Sequence, residues 1–474
     1  MLPLLVPDVS LPKGRITHFL VSGVVACGLL IASHAKAQAL PTEALICPDL
    51  ASYYSEMNFT DAASDEPARW AALTTTLAEL QSRCLRSSEY YALLGAAQLN
   101  SGQLDVASES LERALLLDPK NGSAQIDYAE ALFAAGQLFP ALQLNETILG
   151  REDLPAELRE TLTQREADWR KNTKQHILQL DLQAGYDNNL NSAPGADQIT
   201  LTLSGEPLLL SLNTDLQPQE GAFTNARLSS TQLTLTANGQ HSWTNQVRGR
   251  LSQDTRSDLL QFDSRYALIK PTRRRTLQWE AGASSLFFGG SALYTSAQTR
   301  LSYQPNTNKR CAPVYEIASQ YQRFHSQNTL DAWESKATLG ASCVAGENTN
   351  NPLRIGFDGG YISNRALDST RPGDDRDGWQ VNVRAQRALF GGELSAQASY
   401  TRLEDAGSYS PILVNGAARW QERNQFLIQH RTPMRLGTRS ALFLVNFYHQ
   451  DQSSNIELFE LSDTAVELGF SIAL

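Results

Sequence analysis

From His176 to the last residue, apolar and polar side chains alternate along one short segment after another. Successive side chains of a β-strand point to opposite faces, so this period of two indicates strands with one apolar and one polar face. In the first segment, HILQLDLQAGY, Gln and Asp share one face, and the other face carries Leu178, Leu180, Leu182, Ala184 and Tyr186. A chain that repeats this pattern to its end is expected to form a large antiparallel sheet with two chemically different sides.

Two folds use alternating strands in this way, the soluble β-sandwich and the transmembrane β-barrel. A sandwich has one shared dry core and does not need so many long strands running to the last residue. We count about fourteen segments of roughly ten to thirteen residues, as in barrels with an apolar outer face and a polar lumen. The alternation therefore predicts a ~14-stranded antiparallel transmembrane β-barrel over residues 176–474.

The connections between these segments differ in length in a regular way. Every second connection is short, whereas the others include the long loops 187–223, 363–376, 404–417 and 451–462. The short ones are GQHSWTN, KPTRRRT, QPNTNKR, AGENTNNP, LFGGE and TPMRLGTR. Bacterial outer-membrane barrels have short periplasmic turns and longer extracellular loops, so this asymmetry favours the barrel.

Tryptophans fall near the ends of the predicted strands. They are Trp243, Trp279, Trp333, Trp379 and Trp420. Their position predicts aromatic girdles at the two membrane interfaces.

Residues 45–174 have a helical rather than an alternating pattern. Gly95, Gly102, Ala107, Ala114 and Pro119 stand at the signature offsets of one tetratricopeptide repeat in EYYALLGAAQLNSGQLDVASESLERALLLDPKNG. A second copy lies 34 residues further on, at Ala129, Gly136, Ala141 and Ile148. A degenerate copy of the repeat precedes them at Leu73, Leu77 and Leu80, where an ordinary amphipathic helix is an equal alternative.

Small residues at these positions let the two helices of a repeat approach closely. We therefore expect about three helix pairs over residues 45–154, followed by a long polar helix at 155–174 that begins at Pro155. The whole chain is predicted to be a two-domain α + β protein, an N-terminal helical array followed by the barrel.

The first 37 residues resemble a secretory signal peptide. Lys13 and Arg15 precede the apolar run 19–32, and Ala35 and Ala37 supply small residues for cleavage after Ala37. A retained membrane anchor is the alternative, and Cys27 lies in a loose lipoprotein-box pattern. Cleavage predicts export to an oxidising compartment.

Four cysteines remain after that cleavage: Cys47, Cys84, Cys311 and Cys343. Four cysteines allow three pairings. Sequence position favours Cys47–Cys84 and Cys311–Cys343, one pair in each half of the chain. Cys311 and Cys343 are equidistant from position 327, the middle of the loop HSQNTLD, which would make them direct neighbours in an antiparallel hairpin.

The first long loop contains a second predicted hairpin, at residues 198–212. It carries seven large apolar side chains: Ile199, Leu201, Leu203, Leu208, Leu209, Leu210 and Leu212. Each costs roughly 1.5–3 kcal/mol if it stays in water where it could be buried. We expect this hairpin either to fold over the barrel mouth as a partial plug or to contact a client protein.

The loop opens with GYDNNLNSAP, and the complete architecture resembles the surface lipoprotein assembly modulator family. The matching residues are Gly185, Tyr186, Asn188, Asn189, Asn191, Ala193 and Pro194. The resemblance implies an outer-membrane translocator that helps proteins to reach the cell surface. The chain departs from the family in its short helical domain and in its C-terminal Leu474, where barrels usually end in Phe.

Other functions find less support in the sequence. A net charge of −10 does not indicate nucleic-acid binding. No metalloprotease, nucleophile-elbow or phosphate-loop motif is present, so we expect no catalytic activity and no cofactor. His430 with a strand serine is a remote lipase candidate. The cluster Asp368, Asp374, Asp375 and Asp377 could bind Ca²⁺, but a solvated loop is the preferred interpretation.

The sequence thus predicts a bacterial outer-membrane barrel with its tetratricopeptide domain in the periplasm. The expected partners are a client protein or its periplasmic chaperone, outer-membrane lipid and the barrel assembly machinery. Two alternatives are an exopolysaccharide export porin with helical repeats and a small-solute porin. A purely structural outer-membrane protein is a further possibility.

Overall fold

The computed structural model describes residues 46–55, 66–203, 206–307, 310–346 and 351–474. The predicted signal peptide at 1–37, with Cys27, lies outside the described residues. The chain divides into two compact units, of which the first ends at Asn121 and the second covers Gly122–Leu474. The division therefore falls within the helical array, whereas the boundary predicted from the sequence lies between the array and the barrel.

The described part of the N-terminal half contains seven helices. They are α1 (Ala51–Ser55), α2 (Glu66–Leu80), α3 (Ser88–Asn100), α4 (Leu104–Leu117), α5 (Gly122–Ala134), α6 (Leu138–Leu149) and α7 (Ala156–Lys171). None of the described helices is both long enough and apolar enough to span a membrane.

Within the first unit, α3 and α4 pack closely at the small residues that the repeat pattern identified. A Cβ atom at Gly95 would lie 2.5 Å from Leu111 Cγ. Ala107 and Ala114 of α4 are completely buried. Larger residues at these positions would force the two helices apart.

The repeated glycines terminate equivalent helices. Gly102 follows α3 with φ 81° and Gly136 follows α5 with φ 76°, a conformation that glycine adopts without steric cost. In both turns the next residue closes the helix end, because Gln103 N donates to Gln98 O and Gln137 N donates to Leu132 O, each at 2.8 Å. The predicted helical array is confirmed, with its period of 34 residues visible in these two turns.

In the second unit, α7 packs against α5 and α6. Pro155 precedes it in an extended conformation, so α7 begins one residue after the predicted start. Trp169 of α7 is buried and stacks on Phe133 of α5, with ring centroids 4.7 Å apart. The strand β1 begins three residues after α7 ends, at Lys174.

Fourteen strands of the described chain close into one antiparallel barrel, as the alternation predicted. They are β1 (Lys174–Asp187), β4 (Gly221–Thr236), β5 (Gly239–Ser252), β6 (Leu259–Pro271), β7 (Arg275–Phe288), β8 (Ser291–Pro305), β9 (Cys311–Phe324), β10 (Ala332–Ala345), β11 (Leu353–Ala366), β12 (Arg376–Leu389), β13 (Gly392–Ser408), β14 (Ala418–Leu436), β15 (Arg439–Ser454) and β16 (Leu461–Ala473). Two further strands, β2 (Gln198–Leu203) and β3 (Glu206–Ser211), form a separate hairpin.

The barrel closes where β1 pairs with β16, Gln179 lying opposite Ala473 and Asp187 opposite Ala465. The strands have 13 to 19 residues, and most of them are longer than the segments expected from the alternation. About 9–11 residues suffice to cross a bilayer. The strand pairing therefore continues beyond the length that a membrane requires.

The two faces of the wall differ as expected. Leu182, Phe357 and Val466 are among the apolar side chains exposed on the outer face. Asp181, Asn382 and other polar groups are buried on the inner face. Neighbouring luminal strands exchange ion pairs, for example Arg227 with Asp181 and, at 2.6 Å, Arg384 with Asp358. The barrel thus has an apolar exterior and a polar, charged interior.

Two ends of the barrel can be distinguished. The end that we call the short-turn rim carries the start of β1, the end of β16 and six connections of two to seven residues: 237–238, 272–274, 306–310, 346–352, 390–391 and 437–438. The opposite end, the long-loop rim, carries 188–220, 253–258, 289–290, 325–331, 367–375, 409–417 and 455–460. The predicted asymmetry holds, although 289–290 is a two-residue turn of adjacent glycines.

One predicted turn was wrong. The stretch GQHSWTN lies inside β5, and the turn before it consists only of Ala237 and Asn238. Gly239 in this stretch adopts φ 154° and directly faces Ile269 O of β6, so here a glycine marks close strand packing and not a loop.

The five tryptophans lie at both ends of the wall. Trp243 and Trp279 are near the short-turn rim, whereas Trp333, Trp379 and Trp420 are near the long-loop rim. The first four side chains are more than a third exposed on the outer face. Their distribution is that of two aromatic girdles.

Both favoured disulfides are present in the structure. Cys47 and Cys84 have Cα atoms 4.8 Å apart. Cys311 in β9 is the direct cross-strand partner of Cys343 in β10, with Cα atoms 4.0 Å apart, near the short-turn rim.

Candidate functional site at the long-loop rim

The asparagine-rich segment after β1 folds into the barrel mouth through its own side chains. Asn189 is buried, and its amide group donates to Ala193 O at 2.9 Å and to Ser462 O at 3.1 Å. Its Oδ1 accepts from Ala193 N, while Asp187 Oδ1 accepts from Asn189 N. Asn189 therefore replaces backbone pairing at a point where the chain leaves the sheet.

The other two asparagines fasten this segment at both sides. Asn188 exchanges two hydrogen bonds with Thr464 of β16. Asn191 bridges to the end of the same loop, donating to Gln217 O and accepting from Gln219 N. The left-handed residue of the turn is Ser192, with φ 50°, and none of the three asparagines takes that conformation. The asparagines shape the turn through their amide groups.

An apolar cluster lies beneath this segment. Leu190 is buried against Phe223, Ala465 and Tyr448, side chains from β4, β16 and β15. Gly185 makes room for it, since a Cβ atom there would lie 2.7 Å from Phe223 Cζ and 2.5 Å from Val466 O. The short sequence motif thus encodes an inward-folded loop that is packed against the inner wall near the rim.

The hairpin β2–β3 is attached to two other loops of the rim. Thr202 N donates to Ile412 O at 2.7 Å, and Leu201 forms a single β-bridge with Leu413 of the loop between β13 and β14. Thr200 donates through its backbone N and its hydroxyl to Glu457, between β15 and β16. Because these contacts all come from β2, that strand faces the rim and β3 faces away from it.

The seven apolar side chains of the hairpin divide between these two environments. Ile199 and Leu212 are buried and Leu201 is partly buried. Leu203, Leu208, Leu209 and Leu210 remain 47%, 50%, 66% and 48% exposed. The hairpin is therefore fixed at one edge while most of its leucines still face outward.

A buried ionic cluster, which no sequence motif predicted, stabilises the same part of the rim, because it contacts the loops 409–417 and 455–460 to which the hairpin is attached. Asp405 of β13 accepts from Arg376 at 2.9 Å and from Arg419 at 3.0 Å. Arg419 also lies over the rings of Tyr409 and Phe459. These residues come from separate strands and loops, so no local motif in the sequence could have revealed the cluster.

The two rims carry opposite charge. The seven connections of the long-loop rim contain twelve carboxylates and two arginines, Arg256 and Arg371. The carboxylates are Asp197, Glu206, Asp215, Glu220, Asp254, Asp258, Asp331, Asp368, Asp374, Asp375, Glu457 and Glu460. The short-turn connections contain four basic residues and one acidic residue: Arg273, Arg274, Lys309, Arg310 and Glu347.

The four aspartates considered for Ca²⁺ have other contacts. Asp375 and Asp377 both pair with Arg365, at 2.8 and 3.3 Å, and the hydrogen bond from Arg365 lowers the pKa of Asp375. Asp368 accepts from Thr370. Asp374 is left-handed, with φ 63°. In the described residues, no group of three or more His, Cys, Asp or Glu side chains is arranged to hold a metal ion.

The histidines of the barrel lie apart but have the same kind of neighbour. Each of the five that the structure describes lies within hydrogen-bonding distance of a hydroxyl group. The pairs are His176–Ser230, His241–Tyr266, His325–Thr295, His430–Thr432 and His449–Thr464. Because the pattern recurs around the barrel, the His176–Ser230 contact at 2.9 Å is one of a series. Among the described residues, His430 itself contacts Leu389 O and Thr432 but no serine.

A second polar cluster lies between α5, α6 and α7. Arg165 donates to Asn145 Oδ1 at 2.6 Å, approaches Glu130 at 3.5 Å and lies over the ring of Trp169. Burial raises the pKa of the nearby Asp127 to about 6; the positive charge of Arg165 opposes this shift and the negative charge of Glu130 adds to it. This cluster provides ionisable groups within the helical array.

Comparison with known proteins gives one family match. The tetratricopeptide repeat model matches residues 98–164, a region that includes the glycine turns after α3 and α5. No curated protein matches the chain.

Solved structures resemble the two halves separately. The type III secretion chaperone SycD of Yersinia enterocolitica, bound to a peptide of the translocator YopD, is 21% identical and covers 22% of this chain and 79% of its own, with a TM-score of 0.20. The anion-selective porin of Comamonas acidovorans is 9% identical over 64% of this chain and 99% of its own, with a TM-score of 0.33. A loop-deletion mutant of the Vibrio cholerae outer-membrane protein OmpT is 8% identical over 64% and 100%, also with a TM-score of 0.33. With TM-scores below 0.5, nothing about function is carried over from these proteins.

Proposed function

We propose that the chain is an outer-membrane protein that assists the secretion or surface display of client proteins. The apolar exterior, the polar lumen and the two aromatic girdles support its insertion in a membrane. In this proposal the short-turn rim and the helical array face the periplasm, and the long-loop rim faces the outside.

The observation that carries the proposal is the hairpin at the long-loop rim. Leu208, Leu209 and Leu210 stay exposed although β2 is firmly attached to the neighbouring loops. Exposed apolar patches commonly mark interaction sites. Tetratricopeptide arrays bind other proteins along their concave surfaces, so the array would recruit the client or its chaperone. The resemblance of GYDNNLNSAP to the surface lipoprotein assembly modulators agrees with this role.

A small-solute channel is the second candidate. It is favoured by the luminal wall, where charged side chains of both signs are paired between neighbouring strands. We propose no catalytic role for the chain.

The test compares a strain that lacks the gene with strains complemented by the natural chain or by a chain without residues 197–213. Surface biotinylation should show that one or more proteins leave the cell surface in the deletion strain. The natural chain should restore them and the shortened chain should not, although its barrel still assembles. If the strain that lacks the gene keeps an unchanged set of surface proteins, the display function is refuted. A rise in planar-bilayer conductance on shortening, with display intact, would favour the small-solute channel and a plugging role for the hairpin.

A milder variant separates side-chain loss from loop loss. Replacing Leu208, Leu209 and Leu210 together by Ser should reduce display while leaving barrel assembly unchanged. Leu367→Ser is the matched control, because Leu367 is 54% exposed on another loop of the same rim.

A further inference from the structure

The direction of the backbone groups in the hairpin determines what β3 can bind. In an antiparallel pair, opposed residues either exchange hydrogen bonds with each other or both point their N–H and C=O groups away. Thr202 and Thr200 donate their N–H groups to Ile412 O and to Glu457, which lie outside the hairpin. Their partners in β3 are Pro207 and Leu209. Pro207 and Leu209 therefore point their own backbone groups away from β2.

The outer edge of β3 is thus an unpaired strand edge. In the described chain the hairpin sheet has only two strands, and Leu209 N–H has no hydrogen-bond partner. All six residues of β3 are exposed. Pro207 has no N–H to offer, so the edge available for pairing is restricted to Leu208–Ser211.

The side chains along this edge are apolar on both faces. Leu208 and Leu210 share a face with Ile199 and Leu201, whereas Leu209 lies on the other face with Thr200. A strand added beside β3 would extend both faces, so it would gain most from apolar residues at alternate positions.

The charge near the edge restricts the partner further. The loop 188–220 contains four carboxylates and no Lys or Arg. Glu206 opens β3, and Asp197 lies beside its far end, where its carbonyl accepts from Leu212 N. Asp215 pairs with Arg256. In contrast, Asp197 and Glu206 have no ion pair within the described residues. A second copy of the chain would bring like charges together, whereas a segment with Lys or Arg beside its apolar core would be attracted.

We propose that the free edge of β3 docks an extended segment of a client protein, apolar at alternate positions and flanked by basic residues, as an added β-strand. This inference rests on the proposed function, because the client is the protein that the barrel passes or displays. Backbone hydrogen bonds at the edge would supply affinity without requiring a fixed client sequence. The leucines and the carboxylates would supply the preference for alternating apolar residues flanked by basic ones. An edge of four residues suits a contact that forms and releases again during transfer.

The test uses the purified full-length protein in detergent micelles and fluorescein-labelled peptides. The peptide KVTVTVTVTK should bind at least tenfold more tightly than EVTVTVTVTE. It should also bind at least tenfold more tightly than the same peptide with the Val at its sixth position replaced by Pro. Equal binding of the Lys and Glu peptides would overturn the proposal.

Two substitutions at one position separate strand pairing from apolar contact. Leu209→Pro removes the outward N–H group but leaves all hydrogen bonds within the hairpin in place. It should weaken binding of the Lys peptide at least tenfold. Leu209→Ala keeps the N–H and should weaken it less than threefold. Equal losses would mean that the leucine side chain, and not the edge, makes the contact. Heat-modifiable mobility on gels checks that each barrel is folded.

Two further outcomes are decisive. Glu206→Lys combined with Asp197→Lys should reverse the preference between the Lys and Glu peptides. A disulfide-linked dimer of Leu209→Cys at the edge would overturn the proposal by assigning β3 to a second copy. If peptides fail to bind but deletion of 197–213 still abolishes display, the docking mode fails and the proposed function stands. If peptides bind as expected while the strain that lacks the gene keeps its full set of surface proteins, the proposed function fails and the edge remains a peptide site.

Discussion

Gly185 lies on the inner face of β1, where it is opposite Glu467 of β16 on one side and Phe223 of β4 on the other. The ring of Phe223 covers it and reaches Leu190 of the inward-folded loop. The sequence motif at the start of this loop therefore begins with a packing requirement inside the wall. The glycine and the buried leucine belong to one structural unit.

We expect Gly185→Ala to destabilise the barrel by about 1–3 kcal/mol, the usual cost of forcing extra atoms into a packed site. The new Cβ would collide with Val466 O, a backbone atom that can move only with its strand. The measurement is the guanidinium midpoint for loss of the folded, heat-modifiable form. Gly359→Ala in β11 is the matched control, because a Cβ atom added at Gly359 would have its nearest neighbouring atom 3.8 Å away. Equal midpoints for the two variants would contradict this explanation.

Asp127 should make the stability of the helical array depend on pH. Burial raises its pKa from 3.8 to about 6, so the folded state binds the proton more tightly than the unfolded chain. Its favourable contribution is complete below pH 3.8 and is lost as pH rises through about 6. The loss amounts to at most about 3 kcal/mol.

Asp127→Asn should therefore stabilise the array at pH 7–8 and have little effect near pH 3.8. The readout is thermal unfolding of the full-length protein followed by helical circular dichroism between these pH values. Glu160→Gln, a change at an exposed carboxylate of α7, is the control. A stabilisation of Asp127→Asn that does not change with pH would point to a cause other than ionisation.

At the scale of elements, regular patterns were predictable and local exceptions were not. The period of two located the barrel strands, and the 34-residue offset located the turns at Gly102 and Gly136. The stretch GQHSWTN is predicted as a short connection, and it contains Gly, Ser and Asn, which are common in turns. The ladder between β4 and β5 instead continues to Thr236 and Gly239. Strand pairing outweighed local composition there.

The hairpin at the barrel mouth was likewise predictable only in part. Its two strands and their leucines followed from the sequence, but its attachment did not. Thr200 and Glu457 are 257 residues apart, and Leu201 meets Leu413 across a similar distance in sequence. Contacts between loops depend on the closure of the barrel, which brings the end of β1 beside β16. A single sequence gives no local signal for them.

At the scale of the whole molecule, the two ends of the barrel differ in charge. Acidic residues dominate the connections of the long-loop rim, and basic residues dominate those of the short-turn rim. The short-turn rim also receives the chain from α7. If the barrel lies in the outer membrane with the helical array in the periplasm, as we propose, that rim is on the periplasmic side. The acidic rim and the hairpin then face the exterior, where the leucine edge can meet a client.

This orientation predicts which rim can be labelled in intact cells. Leu216→Cys in the loop of the hairpin is exposed at the long-loop rim, and Arg274→Cys is exposed in a short turn. A membrane-impermeant biotin maleimide should label Leu216→Cys in intact cells, and Arg274→Cys only after the outer membrane is permeabilised. The natural chain is the background control, because all four described cysteines are paired in disulfides. Labelling of Arg274→Cys but not Leu216→Cys in intact cells would reverse the orientation, and the exposed leucines would then face the periplasm, where the hairpin could not take part in display.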